Sequence, residues 1–90
     1  MKKYVFHLYV AGASPNSSRA IVNMQEICET YLKGRYHLEV IDVYQQTETA
    51  KREALVALPL LVKRYPLPER KFIGDLSDRS KLLKGLGLTA

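Results

Sequence analysis

This 90-residue chain predicts an α/β fold opening on a βαβ unit, and three observations carry that expectation. Residues 4–10 are a short run rich in β-branched and aromatic types, residues 36–43 are a second such run, and between them apolar residues recur at three- and four-residue spacing. Two strands joined by one helix pair in parallel through a right-handed crossover. The chain is long enough for one core and has no low-complexity linker, so residues 1–90 are read as a single domain.

The first run, Tyr4-Val5-Phe6-His7-Leu8-Tyr9-Val10, stops at Ala11-Gly12. His7 lies inside it, where a histidine is expected to pack rather than to catalyse. Ser14 is placed to accept a free amide of a first helical turn, and Pro15 suits the first helical position because it has no amide to leave unsatisfied. Ala20, Ile21, Met24, Ile27, Cys28, Tyr31 and Leu32 then form one apolar stripe ending near Gly34. Cys28 belongs to that stripe, as a small buried hydrophobe.

After the second strand, Thr47 opens a weaker helix running to Val56, with Glu48 and Arg52 four apart on one face. Leu58 to Pro68 holds Pro59, Pro66 and Pro68, which remove ladder donors and punctuate the segment. Lys71-Phe72-Ile73 reads as a short strand ending at Gly74, and Ser77 as the cap of a last helix carrying Leu82, Leu83 and Leu86. Gly85 and Gly87 each cost about 1 kcal/mol relative to alanine in a helix interior, so local preference there is ambivalent.

Composition narrows the function. With 47% hydrophobic and 26% charged residues the chain is globular, and its net charge of +5 favours acidic partners. Lys63, Arg64, Arg70, Lys71, Arg79, Lys81 and Lys84 all fall in the last third and read as a solvated basic face, since no nucleic-acid recognition motif accompanies them. Cys28 is the single cysteine and His7 and His37 the only histidines, which argues against an intramolecular disulfide and against a zinc site built within one chain, and no cofactor is expected. Lys2 and Lys3 lead into no apolar signal segment, and no run approaches roughly 20 apolar residues, so a cytoplasmic protein without a membrane partner is expected. There is no Gly-x-x-x-x-Gly-Lys phosphate loop, and Asp75 and Asp78 flank a helix start, where acids ordinarily complement the dipole.

The order βαβ, helix, Leu-Pro strand, strand, helix is thioredoxin-like. Within it stand Leu8-Tyr9-Val10-Ala11-Gly12, Ser14-Pro15-Asn16-Ser17, Leu38-Glu39-Val40-Ile41-Asp42-Val43, Ala57-Leu58-Pro59 and Phe72-Ile73-Gly74-Asp75-Leu76-Ser77. Together these words, from about Tyr4 to Leu88, resemble the KaiB clock-protein family. The resemblance implies a non-enzymatic regulator that binds a KaiC-like RecA-type ATPase and modulates its phosphorylation or ATPase cycle. It also implies metamorphism: a tetrameric ground state of order βαββααβ and a monomeric thioredoxin-like state of order βαβαββα that captures the ATPase. Residues 1–45 would be the constant half and 46–90 the switchable half, with Pro59, Pro66, Pro68, Gly74, Asp75, Gly85 and Gly87 as candidates for switching or partner contact.

Two departures keep a paralogue with a stress-linked role and another partner as the alternative. Leu58 stands where many relatives have threonine, and the chain stops at Ala90 where clock members commonly continue into an acidic tail. A thioredoxin-like redox enzyme is the competing class, because Leu58-Pro59-Leu60 sits where that fold places its substrate-facing proline. Its nucleophilic cysteine belongs at the start of the first helix, and that position reads Ser14-Pro15-Asn16-Ser17. Cys28 comes about three turns later, too far to use the helix N-terminus. A third class is self-association through Tyr4, Tyr9, Tyr36, Tyr44 and Tyr65, and a core this small makes a homo-oligomer, by resemblance a tetramer, the expected state.

Overall fold

The computed structural model describes residues 3–45, 48 and 57–88. The elements run β1 (Tyr4–Val10), α1 (Pro15–Tyr31), β2 (Tyr36–Asp42), β3 (Leu60–Tyr65), β4 (Arg70–Ile73) and α2 (Arg79–Leu86). The helix expected over Thr47–Val56, with its Glu48–Arg52 pair, lies outside the described residues apart from helical Glu48.

The four strands form one sheet in the order β2-β1-β3-β4. β1 pairs with β2 in parallel from Tyr4↔Tyr36 to Val10↔Asp42, and antiparallel with β3, which in turn pairs antiparallel with β4. Side chains alternate across a strand, so each strand feeds two faces. Phe6, Leu8, Val10 and Leu61 meet Ala20, Met24, Ile27, Cys28 and Leu32 of α1 and Leu82, Leu83 and Leu86 of α2, which places both helices on one face. Tyr9, Ile41, Leu60 and Val62 form a smaller cluster on the other, with Leu58 and Val43 against it.

Helix α1 starts as the residues dictate: Ser14 is the N-cap, its side chain accepts the Ser17 amide, and Pro15 is the first helical residue. Of the apolar stripe, Ala20, Met24, Ile27, Cys28 and Leu32 are fully buried, whereas Tyr31 is 41% exposed at the end of the helix. The prolines punctuate the second half at its strand ends. Pro59 precedes β3 and Pro66 follows it, which leaves Leu60–Tyr65 free to donate to both neighbours as a central strand. The peptide bonds before Pro59, Pro66 and Pro68 are cis.

Three expectations about the second half are corrected. Asp78, not Ser77, caps α2, its carboxylate accepting the Lys81 amide at 3.2 Å. Gly87 is not in the helix interior but ends it at φ 74, a left-handed conformation in which glycine costs nothing sterically. The basic face is not solvated throughout: Lys63 is 6% exposed, and Arg64 donates to His7 Nδ1 at 3.0 Å and to the Tyr9 hydroxyl at 2.8 Å. Burial, and then the like charge of Arg70 across the strand pair, lower the Lys63 pKa.

Candidate partner-binding site

The end of the sheet where β1 and β4 finish gathers the loops that precede α1, β3 and α2. Tyr9 pairs with Leu60, so one further step of the antiparallel register sets Pro59 opposite Val10, just before the turn into α1. The Gly74 amide donates to the Pro59 carbonyl at 3.0 Å, bringing the β4–α2 loop to the same end. Pro59, Gly74 and Asp75 are thus neighbours. Pro66 and Pro68 lie in the β3–β4 turn at the opposite end, and Gly85 and Gly87 lie in and just after α2.

At the start of α1 the chemistry is structural. The Ser14 hydroxyl donates to Ser17 Oγ at 2.8 Å, and Ser17, 1% exposed, accepts the Ala11 amide at 3.2 Å. No thiol is present among these residues. Cys28 is fully buried in α1, and burial, reinforced by Glu29, pushes its thiol up to about 12, so no thiolate forms near neutral pH.

Asp75 locks the β4–α2 loop to α1. Its carboxylate accepts from the Ser77 amide at 3.1 Å and from Arg19 Nε at 3.2 Å, while its backbone carbonyl accepts from the Asn23 amide group at 2.8 Å. The Ser77 hydrogen bonds first, and Arg19 after them, hold this carboxyl below the usual range. Arg79 continues the contact, donating to Asn23 Oδ1 at 2.9 Å and pairing with Glu26. Leu76, within the loop, is 7% exposed at φ 63, a region that disfavours branched side chains, so its burial holds it there. Residues 71–78 with Lys81 and Leu82 enclose a groove of about 390 Å³ beside β4.

Gly85 has a packing role that spacing does not reveal. A Cβ at this position would stand 2.5 Å from Phe72 Cε1 and 2.7 Å from Cζ, so glycine allows α2 to approach β4. The docking residues Arg19, Asn23 and Glu26 were not singled out from the sequence, although their spacing of four and three marks a polar ridge along one side of the α1 stripe. The tyrosines divide: Tyr9 is core at 1% exposure, whereas Tyr44 is 74% exposed. No helix among the described residues is long and apolar enough to cross a membrane.

A family model described as the KaiB domain matches residues 7–88. The chain belongs to the KaiB family. It is 53% identical over 87 residues to a Picosynechococcus protein named circadian clock oscillator protein KaiB, covering 97% of this chain and 84% of that one. The KaiB of Synechococcus elongatus is 48% identical over the same length, covering 85% of that protein. Among solved structures, the N-terminal domain of Synechococcus elongatus SasA superposes with a TM-score of 0.75 at 25% identity, covering 99% of this chain and 88% of that one. Yeast mitochondrial thioredoxin 3 gives a TM-score of 0.75 at 17% identity, covering 97% and 79%, which establishes the thioredoxin-like fold.

Proposed function

We propose that this KaiB-family chain is a non-enzymatic regulatory module of a circadian clock, which binds a KaiC-like RecA-type ATPase and modulates its phosphorylation or ATPase cycle. The observation that carries the reading is sequence identity of about half, over nearly the full chain, to proteins named as clock oscillator components. The likeness to the SasA N-terminal domain supports a role in the same class of assembly. Against redox catalysis stand the serines and asparagine at the start of α1 and the buried, protonated Cys28. Leu58 packs against the Tyr9, Ile41, Leu60 and Val62 cluster, so its departure from threonine has a packing reason and needs no change of partner.

The thioredoxin-like arrangement described above is the binding-competent state of the proposal. Residues 46–90 are the half that rearranges from a homo-oligomeric, tetrameric ground state, and Pro59, Pro66, Pro68, Gly74, Asp75, Gly85 and Gly87 lie within it. The test is gel filtration of the chain mixed with a KaiC-type ATPase, sampled over hours, with the ATPase rate read on the same samples. A complex that grows with time and alters the rate is expected. Absence of a complex at any time would overturn the reading and leave the stress-linked paralogue in its place.

A further inference from the structure

We infer that β4 and the groove beside it form a second docking surface, which takes an extended acidic segment of another protein as a fifth strand. This does not depend on the identity of the ATPase partner: the groove shares Gly74 and Asp75 with the candidate site, but the inference rests on the outward backbone of β4 and on the charge beside it.

Among the described residues the sheet ends at β4, and one side of that strand has no strand partner. In an antiparallel pair, alternate residues direct their amide and carbonyl to the neighbour. The Gly74 amide reaches the Pro59 carbonyl, so Phe72 and Arg70 also point to β3, and the backbone groups of Lys71 and Ile73 point outward. Those two residues offer an incoming strand two donors and two acceptors, and Ile73 adds an apolar side chain that is 63% exposed. Immediately alongside runs the groove of about 390 Å³, floored by Phe72, Leu76 and Leu82, which suits an apolar side chain of the added strand.

Charge selects the occupant. The groove contains two acids, and both are engaged: Asp75 by Arg19 and the Ser77 amide, Asp78 by the Lys81 amide. Arg79 is held by Glu26. Among the described residues no carboxylate pairs with Arg70, Lys71, Lys81 or Lys84, so positive charge predominates along this edge, with Asp78 met by a backbone amide alone. A second copy would bring the same cations to the junction, and like charge opposes that pairing. Basic residues on an edge also deter aggregation, but a guarded edge needs no adjoining groove.

The probe is a capped octapeptide alternating glutamate with valine and threonine, titrated into the isotope-labelled full chain under conditions where slow amide exchange at Phe72 shows β4 paired to β3, with its lysine counterpart and a thymidine oligonucleotide as the other arms. Binding of the acidic peptide is expected to slow amide exchange at Lys71 and Ile73 while leaving Phe72, already paired to β3, little changed. Lys71→Glu with Lys81→Glu should weaken it by roughly tenfold and transfer preference to the lysine peptide. Ile73→Pro removes an outward amide that β3 does not use and should abolish binding, with the melting curve of each variant verifying its fold. Three results would overturn the proposal: no binding of the acidic peptide, binding without protection of Lys71 and Ile73, or tighter binding of the oligonucleotide than of the peptide.

Discussion

The two halves of this sheet reach the same hydrophobic core by different routes. In the first, a 17-residue helix with its own cap and apolar stripe joins two strands of seven residues each, paired along their full length. In the second, strands of six and four residues lead to an eight-residue helix that contains Gly85 and ends at Gly87. An isolated helix that short is not stable in water, so α2 depends on what it packs against. The Asp75 and Arg79 contacts to α1, the buried left-handed Leu76 and the close approach of Gly85 to Phe72 all hold it there. Local preference thus builds the first half, whereas tertiary contact selects the conformation of the second. A family member proposed to rearrange one half would be expected to divide its stability in this way.

Substitutions separate the two contributions. The largest effect is expected from Ile27→Ala, which empties a fully buried site shared by α1, the sheet and α2 and should cost roughly 2–5 kcal/mol. Chemical denaturation should show both halves lost together; loss of the second half alone would mean that they do not share this core.

Next is Gly85→Ala. Helix propensity alone favours alanine by about 1 kcal/mol, but the added methyl overlaps the Phe72 ring, and overpacking costs about 1–3 kcal/mol. The thioredoxin-like arrangement should therefore lose stability, with exchange rising in β4 and α2 before β1. Phe72→Leu in the same chain should restore part of the loss. Stabilisation of this arrangement by Gly85→Ala alone would show that propensity outweighs the overlap.

Cys28→Ser should cost about 1–3 kcal/mol, because it places a hydroxyl in an apolar site, and should leave partner binding unchanged. The thiol also carries a pH signature. An unfolded chain ionises it near 9.0 but the folded chain near 12, so the stability linked to the neutral thiol is complete below pH 9 and is lost as pH rises from 9 towards 12. Denaturation curves across that range should show a steeper decline for the parent than for the serine variant; equal slopes would place the thiol in a wetter site.

The smallest effect belongs to Arg79→Ala, which removes a half-exposed pairing with Glu26 and a hydrogen bond to Asn23. It should cost no more than about 1 kcal/mol, confined to amides of α2. An equal rise in exchange throughout β1 and β2 would contradict the local role assigned to this contact.

These differences also explain what was legible in the sequence. The β-branched and aromatic run at Tyr4–Val10, the Ser14 cap and Pro15 encode their positions locally, and β1 and the start of α1 fall where those signals place them. Pro59 and Pro66 mark the ends of β3, so punctuation defined a strand whose central place in the sheet needed the pairing to appear. The last helix was harder because Ser77 and Asp78 are both good caps, and only the Lys81 amide distinguishes them. The role of Gly85 was hidden for the same reason as the burial of Lys63: each is set by a neighbouring element, Phe72 of β4 in one case and the place of β3 between β1 and β4 in the other. At the candidate site, Pro59, Gly74 and Asp75 come together, but the α1 residues that receive Asp75 carry no motif beyond helical spacing.

The most direct test of the account is amide hydrogen exchange on the chain, free and in complex with a KaiC-type ATPase, followed over hours and resolved by segment. β1, the inward face of α1 and β2 are expected to keep one protection pattern in both, while residues 57–88 in the complex acquire the pattern of the β3, β4 and α2 arrangement from a different one in the free oligomer. Identical protection of residues 57–88 before and after binding, with association complete at a diffusion-limited rate, would contradict it.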